Sequence, residues 1–211
     1  MDFFAHGLWT NVVFEAAAQA KGKTRSKRSI WTAVFFGVAP DLLAFGPFLV
    51  SNILTSGTLW PYAQARLKTE LAKGVASIST SWEPNWLSAP PSPPDPSLIP
   101  SYVHLLYGVS HSLLIFAAVF LVVWLIRKAP LWAMSAWGLH IAVDVFSHSE
   151  KFFPTPLLFP ASEFHLDGIS WADPRFMFIN YSLLAVSYLW LYGVRRRKRA
   201  AASPAQRDQT T

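Results

Sequence analysis

The sequence predicts an all-α protein, a polytopic membrane helix bundle of about five spans with a long external proline-rich loop. Of its 211 residues, 52% are hydrophobic and only 14% are charged, whereas a soluble domain usually carries about 25% charged residues. The basic residues form runs directly after apolar stretches. Histidine and aspartate concentrate towards one end of the predicted spans, and ionisable residues in such positions usually mark function.

Five apolar stretches define the predicted spans, at residues 3–20, 30–54, 102–126, 131–148 and 176–194. Their lengths are near the roughly 17 to 25 residues with which a helix crosses a bilayer. The second stretch contains Pro40 and Pro47. Because proline removes a backbone hydrogen bond, we expect this helix to break near Asp41. Together the spans form one integral membrane domain, residues 1–199.

Two loops and a tail connect and follow these spans. Residues 55–101 form the first external loop, with a surface helix expected at 62–78 and seven prolines between 83 and 100 that predict an extended, irregular chain. Residues 149–175 form the second external loop. Residues 200–211 are polar and predict a disordered cytoplasmic tail.

The basic residues predict the orientation of the bundle. The runs at 21–28, 127–128 and 195–199 follow the first, third and fifth spans, so threading five spans places all three runs on one side. The positive-inside rule makes that side the cytoplasm of the inner or plasma membrane. Asp2 precedes the first stretch and the charges follow it, unlike in a signal peptide, so we expect a retained helix. Membrane lipids are the expected partners, and no nucleic acid is expected.

Histidine and aspartate are the candidate metal ligands, because the chain contains no cysteine. Spacings of four residues place His140, Asp144 and His148 on one stripe of a helix, where imidazole and carboxylate can share one divalent metal. The alternative is that these polar groups only form hydrogen bonds between packed helices. Occurring together in four spans, the residues favour a divalent metal site, with zinc as the expected ion, and the predicted ligands are His6, Asp41, His111, His140 and Asp144.

Five ligands are more than one catalytic zinc ion uses, since such an ion typically has three protein ligands and a water. Either two metals bind, or some of the five residues orient the others. His148 and His165 are the candidate catalytic, proton-transferring residues, and His104 is a further candidate at the membrane surface. The chain has no Gly-x-Ser-x-Gly elbow, P-loop or Gly-x-Gly-x-x-Gly fingerprint.

The order of these motifs resembles the predicted membrane-bound metal-dependent hydrolases, a family of unknown substrate. The matching blocks are Ala5-His6-Gly7, Gly37 to Asp41, Gly108 to Ser112, His140 to Asp144 with Ser147, and Pro160-Ala161-Ser162. The chain departs from the family pattern in two places. Ala44 and Phe45 stand where the family often has Asp-His, and Leu106-Tyr107 stands where it often has His-Arg. His104 and His148 are the candidates to replace the missing ligands.

The predicted function is a metal-dependent hydrolase at the outer membrane–water boundary. A metal there would activate water and polarise a carbonyl or phosphoryl oxygen. The depth of the site points to a lipid or an amphiphilic ester or phosphoester as substrate. Two alternatives stay open, a transporter of metal ions or protons and a non-catalytic membrane scaffold. A transport pathway needs polar residues that reach both faces of the membrane, whereas the inner halves of the spans hold little beyond Glu15 and Gln19.

Overall fold

The computed structural model describes residues 1–56, 99–150 and 153–202, with side chains to residue 198. This part of the chain is helical. It consists of α1 (Phe3–Ala20), α2 (Lys27–Ser56), α3 (Ser101–Ser110), α4 (Leu113–Arg127), a 3₁₀ turn (Trp132–Met134), α5 (Ser135–Ser147) and α6 (Pro174–Ala202). The predicted surface helix and proline-rich segment, at 62–78 and 83–98, lie outside the described residues.

Helix α2 is the centre of the bundle and packs against α1, α3 and α5, while α6 packs against α1. One apolar core joins α2, α3 and the second loop through Ala44, Phe48, Ile99, Val103, Tyr107 and Phe153. A second core joins the start of the chain, α1 and α6 through Met1, Ala5, Val12, Leu184 and Leu191. Helix α5 packs against α1 and α2, and its Val143 packs against the second core.

Helices α1 and α6 run parallel, as their hydrogen bonds show. Trp9 donates to Asn180 near one end, and Lys198 donates to the carbonyl of Gln19 at the other. Arg195 forms an ion pair with the buried Glu15 at 2.8 Å. The basic residues that end α1 and those that end α6 therefore lie at the same end of the bundle, as the predicted topology requires of these two runs.

Two helices, α2 and α6, are long and apolar enough to cross a membrane, and the bent pair α3–α4 adds a third if it is one span. This finding fits an integral membrane protein. Helix α4 is almost entirely apolar yet buries none of its side chains among the described residues, which is typical of a lipid-facing surface. Helix α5 has 13 residues and is about 20 Å long, shorter than the ~30 Å hydrocarbon layer. The count of five spans stays a prediction.

The prediction that the second stretch breaks near Asp41 is wrong. Helix α2 continues through both Pro40 and Pro47. One proline removes one hydrogen bond and bends a helix without ending it, provided that neighbouring helices support the bend. Pro40 is buried in this packing, and α1, α3 and α5 surround the helix.

The third stretch is the one that breaks, where we expected a continuous helix. Helices α3 and α4 meet at an angle of 57° across His111 and Ser112. The Ser112 side chain caps α4 by accepting a hydrogen bond from the Ile115 amide at 3.3 Å. The second loop supplies further partners, since the Leu113 amide donates to the Leu157 carbonyl at 2.9 Å. The break is thus stabilised by residues far away in the sequence.

The end of α6 also differs from the prediction. The helix continues to Ala202, whereas the disordered tail was expected from residue 200. Alanine is the best helix former, and Ala200, Ala201 and Ala202 extend the last turn. Residues 203–211 lie outside the described part of the chain.

Candidate metal centre

Six buried side chains from four helices converge between α1, α2, α3 and α5. One comes from α1, one from the middle of α2, one from the end of α3, and three from α5 and the residue after it. All are at most 6% exposed: His6, Asp41, His111, His140, Asp144 and His148. We call these six residues the His/Asp cluster.

Four of these residues surround one point. His111 Nε2 lies 3.0 Å from His140 Nε2. Asp144 Oδ2 is 3.4 Å from His111 Nε2 and 3.2 Å from His140 Nε2. Asp41 Oδ1 is 3.4 and 3.8 Å from the same two nitrogens. Around a tetrahedral zinc ion with ligands at 2.0–2.1 Å, neighbouring ligand atoms lie roughly 3.3–3.4 Å apart. The five distances that involve an imidazole nitrogen are therefore close to those of a tetrahedral shell, and this group could hold a metal ion.

The imidazole rings are oriented by bonds from their Nδ1 atoms. His140 Nδ1 lies 2.7 Å from the Gly37 carbonyl, and His148 Nδ1 lies 2.8 Å from the Phe153 carbonyl. His111 Nδ1 lies 3.2 Å from the Tyr107 carbonyl. A carbonyl oxygen only accepts, so these contacts are hydrogen bonds when Nδ1 carries the hydrogen. In a neutral ring the Nε2 lone pair then points into the cluster, as metal-binding histidines require.

This arrangement has more acceptors than donors. Two Nε2 atoms 3.0 Å apart can share at most one hydrogen, and carboxylate oxygens from Asp41 and Asp144 face them. Asp41 Oδ2, Asp144 Oδ2 and His6 Nε2 are buried without a hydrogen-bond partner in the described part of the chain. Burying unpaired acceptors is costly. The His/Asp cluster can therefore hold a cation.

The other oxygen of Asp144 has different neighbours. His6 Nε2 lies 2.9 Å from Oδ1, although without hydrogen-bond geometry, and His148 Nε2 lies 3.5 Å from it. The Met1 amino group contacts Oδ1 and is 3.0 Å from His148 Nε2. Ser147 Oγ donates to Oδ1 at 3.2 Å. The His6 ring also stacks on the His140 ring, with centroids 3.6 Å apart. Asp144 is thus shared between two sets of imidazoles.

A close helix crossing positions His140. A Cβ atom on Gly37 would lie 2.1 Å from Thr10 Oγ1 and 2.9 Å from Thr10 Cβ, so only glycine lets α1 approach α2 at this point. The Gly37 carbonyl is the acceptor of the His140 Nδ1 bond. The glycine before Pro-Asp therefore connects the packing of α1 on α2 to the orientation of a metal-ligand candidate on α5.

The second loop forms hydrogen bonds with the end of α5, next to the cluster. The amides of Gly168 and Ile169 donate to the carbonyls of His148 and Phe146, at 2.8 and 3.0 Å. A Cβ atom on Gly168 would lie 2.6 Å from the Phe146 backbone, so the loop approaches too closely for another residue. These bonds satisfy carbonyls that the end of α5 leaves free. They also hold His148, which has left the helix with φ −117° and ψ 140°, against Asp144.

Two predicted candidates lie outside the His/Asp cluster. The His165 side chain is 35% exposed, its Nδ1 donates to the Glu163 carbonyl at 2.8 Å, and its Nε2 is 3.8 Å from Glu150. His104 is exposed and stacks on Phe153, with ring centroids 4.8 Å apart. All five predicted ligands and His148 lie inside the cluster.

Sequence analysis missed Tyr107 as a part of the site. Its ring stacks on His111 with centroids 3.9 Å apart, and its hydroxyl donates to the Phe153 carbonyl at 3.0 Å. The hydroxyl also lies 3.2 Å from His148 Nδ1. The signal was present, because Tyr107 precedes His111 by four residues and so shares its helix face.

Comparison of the chain with protein-family models, curated proteins and solved structures found no match.

Proposed function

We propose that this protein is a membrane-embedded metal-dependent hydrolase whose centre contains a divalent ion, zinc, held by Asp41, His111, His140 and Asp144. The observation that carries the proposal is the near-tetrahedral spacing of two imidazole nitrogens and two carboxylate oxygens, 3.0–3.8 Å for the pairs that include an imidazole. Imidazole and carboxylate are ligands that suit zinc. The resemblance of the motif order to the predicted metal-dependent hydrolases supports the same chemistry.

In such a site the chain's own residues would orient the metal ligands, exclude bulk water and transfer protons. A bound divalent ion supplies a Lewis acid and lowers the pKa of a coordinated water. The carbonyls of Gly37 and Tyr107 hold two imidazoles with Nε2 facing inward. Burial keeps bulk water away, which strengthens every charge interaction in the cluster. His165, on the second loop, stays the proposed proton-transfer residue, with Glu150 close to its Nε2.

The surroundings of the site support an amphiphilic substrate. An apolar groove of about 290 Å³ lies between α2 and α5, and its lining includes Phe35, Leu43 and Trp137. Pro40, which directly precedes the ligand candidate Asp41, also lines this groove. A hydrocarbon chain suits a groove of this composition beside a polar centre. We therefore propose a lipid or another amphiphilic ester or phosphoester as the substrate class.

The proposed location is the outer membrane–water boundary, with five spans and a cytoplasmic C-terminal tail. Because the chain lacks cysteine, single cysteines can report on each side. An impermeant thiol reagent on intact cells should label Ser92→Cys and leave Ser26→Cys and Ser203→Cys unlabelled until the cells are opened. Labelling of the last two in intact cells, with protection at Ser92→Cys, would place the centre at the cytoplasmic face.

One preparation in liposomes separates hydrolysis from transport. We expect the wild-type protein to hydrolyse a member of a panel of lipid and phosphoester substrates, and Asp144→Ala to abolish that turnover. His165→Ala should lower turnover while metal content stays unchanged. Parallel measurement of zinc and proton flux gives the competing result. Flux that Asp144→Ala abolishes, without hydrolysis of any substrate class, would make the protein a transporter. A folded protein that binds no metal would make it a scaffold.

A further inference from the structure

The carboxylate of Asp144 faces two different groups of nitrogen atoms. Its Oδ2 atom lies 3.2–3.4 Å from His111 and His140 Nε2. Its Oδ1 atom lies 2.9 Å from His6 Nε2 and 3.5 Å from His148 Nε2. Each oxygen of one carboxylate thus has its own pair of imidazoles. This is the arrangement in which a carboxylate bridges two metal ions.

A single ion at the Oδ2 side would have a full shell of protein ligands. His111, His140, Asp41 and Asp144 supply four ligand atoms, which is the closed tetrahedral set typical of a structural zinc ion. A hydrolytic ion keeps one position open for water. The four-ligand group by itself explains how α2, α3 and α5 are tied together, but a water would bind its ion only as a fifth ligand, beyond the tetrahedral set.

The number of ligand atoms on the Oδ1 side suits a catalytic ion. It offers three atoms, His6 Nε2, His148 Nε2 and Asp144 Oδ1, which is the usual count for a catalytic zinc ion with one open position. The His148 Nδ1 hydrogen is donated to the Phe153 carbonyl, so its Nε2 carries a lone pair, which can bind a cation. His6 Nε2 is buried and has no hydrogen-bond partner in the described part of the chain.

A positive group already lies at this position. The Met1 amino group contacts Asp144 Oδ1 and lies 3.0 Å from His148 Nε2. An ion bound to Asp144 Oδ1 and His148 Nε2 would take the place of this amino group. Ser147 Oγ donates to the same oxygen and fixes the carboxylate plane, so that Oδ1 and Oδ2 face their separate imidazole pairs.

We propose that Asp144 bridges two divalent ions, the second of which is held by His6, His148 and Asp144 Oδ1 and provides the open coordination position. This inference rests on the proposed function, because it assumes an ion at the Oδ2 side. Paired ions in hydrolytic sites lie about 3.5–4 Å apart and act together on one reacting group. His148, predicted as a proton-transfer residue, becomes a metal ligand, and His165 keeps the proton-transfer role.

The test is metal stoichiometry together with magnetic coupling. Wild type, His6→Ala, His148→Ala and the control His165→Ala are purified without chelator, and divalent metal per chain is measured by elemental analysis. We expect about two ions in wild type and the control, and about one in each of the two variants. The same proteins loaded with Mn²⁺ alone are examined by electron paramagnetic resonance. Wild type should give the spectrum of a spin-coupled pair, and the variants that of an isolated ion.

The outcomes separate this inference from the proposed function. One ion per wild-type chain, or two ions without spin coupling, would overturn the bridge while leaving a metal-dependent hydrolase in place. Two ions retained in both His6→Ala and His148→Ala would move the second position elsewhere. Loss of both ions from both variants would overturn the assignment of His6 and His148 to the second ion alone. A wild-type protein without any metal would overturn the proposed function as well.

Discussion

The two ends of α1 both bury polar side chains, but they satisfy them in opposite ways. At one end Glu15 accepts hydrogen bonds from Arg195 at 2.8 Å and from Gln19 at 3.2 Å. At the other end His6 Nε2 lies 2.9 Å from Asp144 Oδ1 but forms no hydrogen bond with it. The Nε2 atoms of His111 and His140 lie nearby, 3.0 Å from each other. Glu15 has protein donors, whereas the His/Asp cluster consists mostly of acceptors.

The difference distinguishes a structural polar contact from a binding site. Polar residues inside a membrane bundle are expected at helix contacts, and pairing alone is sufficient reason for them. A cluster whose acceptors exceed its donors needs a ligand that supplies positive charge. Glu15 is therefore a packing residue, whereas the His/Asp cluster is a group that can hold a cation. The difference can be tested by changing one member of each.

Asp144→Asn should have the largest effect. Asparagine keeps the shape of the side chain and introduces N–H donors that can satisfy imidazole lone pairs. We expect the variant to lose zinc affinity by more than the ~10–100-fold that a change in an outer partner costs. The metal-free variant should be at least as stable as metal-free wild type. Zinc at 100 times the wild-type dissociation constant should raise the free energy of unfolding of wild type by about 2.7 kcal/mol and that of the variant by about 0.4 kcal/mol or less.

Glu15→Gln is the matched control at the other end of α1. It removes the charge that pairs with Arg195, which is half exposed, so the loss of stability should be about 1 kcal/mol or less. Its zinc content should equal that of wild type. Zinc binding that survives in Asp144→Asn, or that is lost in Glu15→Gln, would break the distinction between the two ends.

Gly37→Ala should have a smaller, indirect effect on the cluster. The new Cβ atom would collide with Thr10, and separating α1 from α2 should cost about 1–3 kcal/mol of stability. The Gly37 carbonyl would shift from His140 Nδ1, which lies 2.7 Å away. We expect zinc affinity, measured by competition with a chromogenic chelator, to fall by about 10–100-fold.

Gly46→Ala is the control for this change on the same helix. A Cβ atom at Gly46 would meet nothing within 4 Å among the described residues, and alanine favours a helix by about 1 kcal/mol over glycine. Stability should therefore stay constant or rise, and zinc affinity should not change. Equal zinc affinity in the Gly37 variant and wild type would show that the carbonyl does not orient the ligand.

Much of the cluster could be predicted from the sequence because ionisable residues are rare in apolar stretches. His6, Asp41, His111, His140 and Asp144 are conspicuous for that reason alone. Helix α1 was predicted at its observed bounds, Phe3–Ala20, since an apolar run flanked by Asp2 and basic residues limits it at both ends. Local composition therefore identified both the first helix and the residues of the site.

The features that the sequence did not reveal depend on distant contacts. Pro40 was expected to end a helix, yet packing against three other helices supports the chain through it. The real break, at His111 and Ser112, is stabilised by the carbonyls of Leu157 and Phe159. The imidazole pair at Asp144 Oδ1 consists of His6 and His148, which are 142 residues apart in the sequence. No local pattern encodes such pairings.

The most direct test of the central claim is the metal content of the purified wild-type protein. The protein would be produced with added zinc, purified gently without chelator and analysed for all first-row divalent metals, with His140→Ala prepared in parallel. The account predicts that wild type retains at least one divalent ion per chain and that His140→Ala loses most of it. A folded wild-type protein that contains no more metal than His140→Ala would contradict the claim that the His/Asp cluster is a metal centre.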